Sequence, residues 1–208
     1  MQTIIAEVDR VRRANGFIGL AATTALAARG VTVFDPFSTL VSADAVLDPG
    51  IILWPNVVVQ VLQGGALRIA AGTVLFPGTR IVAQGGHVAI GREVEIGAEG
   101  GFTITADAPG ITITVGDGAR LVGGGSLALA NTIGRGAQVL GPIRMQNCRL
   151  GDGGSYREPD PDRRGGVLKG SGVARGIDVP RGHVIQAFGL FSEAPLRRQS
   201  HFHPKTTT

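Results

Sequence analysis

Aliphatic residues recur along this chain at every sixth position, a spacing that fits neither the 3.6-residue turn of a helix nor the two-residue alternation of a strand. They run Val41, Leu47, Leu53 and Val59, then Ile69, Leu75 and Ile81, then Ile90 and Ile96. The longest series is Val115, Leu121, Leu127, Ile133 and Val139, and the last is Val167, Val173, Val179 and Ile185. Four positions after an aliphatic the residue is mostly small or β-branched, as at Ala45, Val57, Thr73, Thr79, Ala119 and Ala137. A coil with three short flat sides accounts for both restrictions. One aliphatic per side points to the axis, and the later position sits at a corner with no room for bulk. Pro49-Gly50, Pro55-Asn56 and Pro77-Gly78 fall between the aliphatics, as turn chemistry requires. Each side is then a strand of a parallel sheet, and coils stack about 4.8 Å apart, burying one another's apolar faces.

Roughly six such coils fit between residues 35 and 187. The phase breaks near residues 60–68, 86–89, 100–114 and 145–166, and breaks in a solenoid become loops on one face. The stretch "FTITADAPGITIT" alternates with period two, but that period fails elsewhere, which argues against a sandwich of short strands. It reads as a local excursion, with Ile104, Ile111 and Ile113 helping to cover the coil.

Ahead of the repeat, the apolar run "GFIGLAATTALAARG" follows Arg10, Arg12 and Arg13. Its end resembles the small-residue pattern before a signal-peptidase site. The run comes late, after acidic Glu7 and Asp9, and Gly16 and Gly19 interrupt it. It is also too short to span a bilayer. A packing helix over roughly residues 2–28, capped by Gly30, is the better reading. The expected organisation is a helix in residues 1–29, the solenoid in 30–189 and a tail in 190–208.

Composition agrees with a turn-rich solenoid: 33 of 208 residues are Gly and only 5% are aromatic, which disfavours an ordinary sandwich or bundle core. The net charge of +4 comes almost wholly from Arg, dispersed without a dense basic tract, and points to neither nucleic acid nor a membrane surface. A single cysteine, Cys148, excludes an internal disulfide, and no Cys/His set with zinc spacing occurs. A reducing, cytoplasmic compartment is the expectation.

The repeat [ILV]-x-x-x-[small]-x, as in "LDPGIILWPNVV" and "VGDGARLVGGGS", resembles the hexapeptide-repeat acyltransferases. Their fold is a left-handed parallel β-helix, an exception to the right-handed crossover rule. Residues 30–60, "GVTVFDPFSTLVSADAVLDPGIILWPNVVVQ", look like the lead-in to the acetyltransferase domain of the bifunctional N-acetylglucosamine-1-phosphate uridyltransferases, where a helix precedes a Gly-Val-Thr…Asp-Pro segment and the first coil. "KGSGVARGIDVPRGHVI" is similar to the closing coil of many members. "FPGTRIVAQGGHVAIGREVEIG" echoes the order of that family's active region but departs from it. Phe76 replaces an Arg, the spacing around His87 is longer, Gly97 stands where a Lys follows, and the later Asn-Tyr-Asp-Gly segment has no counterpart.

The resemblance implies an all-β fold, a left-handed parallel β-helix with a short N-terminal helix, a homotrimer, and acetyl-CoA as co-substrate. Acyl transfer to an amine or hydroxyl needs a base, and histidine has the ordinary pKa for it. His87, beside Gly85 and Gly86 at a phase break, is the candidate; His183 at a corner is the second. Glu93 and Glu95 are potential orienters of a base. Coenzyme A needs cations for its phosphates and small residues along its arm, which Lys169, Gly170, Ser171 and Arg175 offer. Those glycines serve equally as turn-formers in the last coil. No metal is expected: His201 and His203 form a pair without a third ligand, and zinc chemistry needs three converging groups. The polar loop "GDGGSYREPDPDRRGG" reads as a mobile lid or a solvated excursion and carries Tyr156, the one tyrosine. Two functions follow: a CoA-dependent acyltransferase acting on a small sugar-like or amine acceptor, or a non-catalytic hexapeptide-repeat scaffold or binding protein.

Overall fold

In the computed structural model, which describes residues 2–203, the chain winds into a left-handed parallel β-helix of triangular section. The hexad positions build its axis. On face I, Val41, Val59, Ile81, Ile104, Leu127, Met145 and Ala174 stack in register. Face II is a seven-stranded sheet with Leu47, Ile69, Ile90, Val115, Ile133, Leu150 and Val179 in one column. Face III stacks Leu53, Leu75, Ile96, Leu121, Val139, Leu168 and Ile185. All three columns are buried and form one continuous core. Each aliphatic removed from water contributes about 1.5–3 kcal/mol, so many short rungs hold together without a large aromatic core.

The corner positions behave as their composition requires. Ile51, Val57, Thr73, Thr79, Val94, Ala119 and Ala137 are wholly inaccessible. The two threonines use their hydroxyls to tie coils together: Thr73 Oγ1 donates to Gly91 O at 2.8 Å, and Thr79 Oγ1 donates to Ile96 O at 3.0 Å. Asn56, with φ 61°, occupies the left-handed turn position next to Pro55.

Three features depart from the expected phase. Val58 pairs with Arg80, Arg80 with Thr103 and Thr103 with Ser126, so these turns take 22 or 23 residues, against 18 from Leu40 to Val58. The extra residues lengthen the strands and one corner, and do not loop out. The stretch 102–114 is therefore no excursion; Ile104 and Ile113 point into the core at 0% exposure. Of the four expected breaks, the last is the one that leaves the solenoid, over residues 151–166. Third, strand Val167–Arg175 runs straight through a corner and joins faces I and III into one 15-stranded sheet. Leu168 and Ala174 point inward there, while Val167 and Val173 pair with the outward Gln138 and Arg144. Gly170 is required at this point: with φ 122°, a Cβ would stand 1.9 Å from the carbonyl oxygen of Ala187 on the next coil.

Both ends are closed. The expected N-terminal helix is two, α1 (Gln2–Ala14) and α2 (Leu20–Ala25), broken by a turn at Gly16. Arg12, 5% exposed, donates to the carbonyls of Pro36 and Phe37, both at 2.8 Å, and docks α1 on the lead-in to the first coil. Asp9 accepts from the Leu20 N–H at 2.7 Å and fixes the turn between the helices. Gly30 caps the last helical turn in the left-handed conformation, as expected. At the far end Phe191 plugs the core, and strand Leu196–Arg198 folds back antiparallel onto His183–Leu190. Thus the expected tail is ordered structure as far as His203, and residues 204–208 lie outside the described residues. Among the described residues no helix is long and apolar enough to cross a membrane.

Candidate functional site

His87 opens strand His87–Ile90 on face II, between Ala66 of the previous coil and Thr112 of the next. The expected loop is absent: Gly85 and Gly86 make a close corner and the imidazole projects from a regular rung, exposed. It lines a shallow groove of about 320 Å³ with Asp44 and Arg68. Arg68 is held by Asp48 through two contacts at 2.8 and 2.9 Å. Among the described residues the His87 ring makes no hydrogen bond. The proposed orienters are elsewhere: Glu95 accepts from Arg120 Nε at 2.9 Å, and Glu93 occupies a left-handed corner position.

The four candidates for coenzyme A are divided between faces. Lys169 points outward on face III, whereas Arg175 on face I donates to Gln146 Oε1 at 2.7 Å. Gly170 and Ser171 pair with Ala187 and Phe188, so on that side their backbone is engaged by the last coil. Lys169 stacks above Leu140, Val122 and Ala98, and Ala98 lies in the coil that carries His87. Lys169 and His87 are thus on different faces and three rungs apart, about 14 Å along the axis. The structure does not bring them together within one chain. His183 donates from Nδ1 to the Arg181 carbonyl at 2.8 Å.

A second candidate site is one the repeat pattern does not reveal. A cleft of about 340 Å³ lies against the outer surface of face III. Its floor carries Arg120, Gln138, Val167 and Val184, which stack in one outward column, with Lys169 beside them. Residues 151–166 supply one wall through Tyr156 and Arg164, and the C-terminal segment supplies the other through Gln199, Phe202 and His203. Gln199, 4% exposed, locks the two together by donating to Gly165 O at 2.6 Å. Ser200 N donates to Asp162 Oδ1 at 3.1 Å across the same junction. Arg164 Nε donates to Glu158 O at 2.7 Å. The Arg120 guanidinium lies 4.3 Å from the centre of the Tyr156 ring, with Arg157 5.2 Å from it. In this arrangement the excursion packs against the coil and the C-terminal segment and forms one wall of the cleft. Sequence signals for it existed in the single tyrosine and the Arg163-Arg164 pair, but nothing along the chain links them to Gln199.

On the same face nearer the N-terminus, Phe34, Trp54 and Phe76 form a partly exposed ladder with ring centres 4.8 and 6.0 Å apart. Among the described residues, no three His, Cys, Asp or Glu side chains cluster as metal ligands would.

Coil geometry and corner chemistry define the class of protein: a left-handed β-helix of hexapeptide-repeat type. No family model matches the chain, and no curated protein is detectably similar to it.

Proposed function

We propose that the protein is a CoA-dependent acyltransferase that moves an acetyl group from its thioester to a small sugar-like or amine acceptor. The observation that carries this reading is an exposed imidazole, His87, standing on a rigid rung above a groove on the outside of a hexapeptide solenoid. The neutral ring takes the proton from the acceptor's hydroxyl or amine as that atom attacks the thioester carbonyl. The thiolate of coenzyme A then leaves and is reprotonated. Because Lys169, Ser171 and Arg175 lie far from His87 in one chain, the thioester must reach His87 from another copy. The expected homotrimer is then part of the site. Thermal unfolding with saturating acetyl-CoA is the test, since a ligand of the native state raises the melting temperature. Absence of any shift would remove the enzyme reading. Where a shift is found, His87→Ala should keep it and abolish turnover; unchanged turnover moves the base elsewhere.

The second reading is a binding protein on the same scaffold. Among the described residues no side chain hydrogen-bonds to the His87 ring, which favours it, and so does the commitment of the Gly170–Ser171 backbone to the sheet.

A further inference from the structure

The face III cleft is a built site independent of His87. Among the described residues three arginine or lysine side chains line it, and one of the three is paired. Arg120 pairs with Glu95 at 2.9 Å. Among the described residues Arg164 and Lys169 form no ion pair, and Arg164 spends its Nε on a backbone carbonyl. Leu140, Val167, Val184 and Phe202 give it an apolar patch, beside the polar Gln138, Tyr156, Gln199 and His203. Cationic donors beside an apolar patch select a molecule with a negative head and a hydrophobic body. The volume stands at the small end of ligand pockets, which run from about 300 to 1,000 Å³. That is room for a metabolite and not for a whole coenzyme A.

We propose that this cleft binds a small organic anion, a carboxylate or phosphate monoester on an apolar body, with Lys169 and Arg164 taking the anionic head. The Gln199 contact to Gly165 ties the two walls together before the ligand arrives, so little ordering cost falls on binding. The guanidinium of Arg164 offers a planar fork to two oxygens, and Lys169 adds a point charge from the floor. The proposal stands apart from acyl transfer: it concerns occupancy of this cleft, and acetyl-CoA turnover does not enter its test.

Tyr156 is the only tyrosine in the chain and lines the cleft, so 3-fluorotyrosine labelling of the full-length protein gives a single fluorine resonance there. Benzoate and phenyl phosphate are titrated separately, with benzyl alcohol as the neutral control and sodium chloride at matched ionic strength. The expected result is a saturable shift of the resonance with at least one anion and none with either control. The anion that saturates first identifies the head group. Lys169→Ala should weaken binding at least tenfold and Lys169→Glu should remove it, while Lys169→Arg retains it. Lys169 is exposed, so these variants keep the fold. The proposal is overturned if neither anion saturates, if benzyl alcohol binds as well as the anions, or if Lys169→Ala and Arg164→Ala both bind as the parent does.

Discussion

Gly170 and Gly189 form a matched pair for deciding what the closing coil's glycines are for. Both lie in backbone regions that side chains avoid, at φ 122° and 131°, where strain costs about 1–3 kcal/mol. They differ in what a Cβ would meet. At Gly189 nothing lies within 4 Å, whereas at Gly170 the atom would stand 1.9 Å from Ala187 O, a backbone atom of the terminal coil. Relieving that overlap means pushing the coil off the stack, which adds an overpacking penalty of about 1–3 kcal/mol. Gly189→Ala should therefore cost about 2 kcal/mol and Gly170→Ala about 4. In urea unfolding followed by circular dichroism, a slope of about 2 kcal/mol per M separates the two midpoints by about 1 M. Equal midpoints would refute the steric account of Gly170 and return it to the role of a ligand cradle.

Two further expectations concern buried groups at either end of the solenoid. Arg12→Met should destabilise by about 3 kcal/mol in the same urea assay, because it orphans the carbonyls of Pro36 and Phe37; a loss under about 1 kcal/mol would show that α1 is held by its apolar contacts instead. Burial lowers the Arg12 pKa, with Asp9 and Asp35 opposing that shift. Burial also pushes the Cys148 thiol above its usual value. The stability it adds is present in full below the unfolded thiol's pKa of about 8.5 and is lost as pH rises through the higher folded value. Unfolding midpoints measured between pH 8 and 10 should consequently fall more steeply for the parent than for Cys148→Ala, and parallel curves would contradict this.

Much of the core was legible because a triangular coil leaves its inward positions no freedom. Every hexad aliphatic from Val41 to Val139 points to the axis. The count failed where the turn length changed. Coils of 22 or 23 residues keep three faces but not a six-residue step, so Ile104 and Ile113 lie in the core where the spacing predicts cover, and Gly85–His87 form a corner and a rung where it predicts a loop. At Val167 the straightened corner displaces the phase by one residue, which places Val167 in the floor of the cleft and Leu168 in the core. The cleft itself was out of reach for another reason: its floor, walls and lock come from segments that touch only after folding, through contacts such as Gln199 with Gly165.

The outward column of face III shows why the scaffold is easier to read than the activity. Reading along the axis it goes Ile52, Val74, Glu95, Arg120, Gln138, Val167, Val184. Near the N-terminus the apolar members stand beside the Phe34–Trp54–Phe76 ladder. The Glu95–Arg120 pair then interrupts the surface, and beyond it apolar residues recur beneath the excursion and the C-terminal segment. Neighbouring coils touch through their inward and corner residues, so an outward residue can change from rung to rung without disturbing the stack. Stability is thus set by positions that repeat and binding by positions that do not. Replacing Val167 by Thr tests this separation directly: its neighbour Gln138 offers an amide to the new hydroxyl, so stability should change by less than about 1 kcal/mol. Affinity for an anion with an apolar body should fall. A large loss of stability would show instead that the floor of the cleft is part of the core.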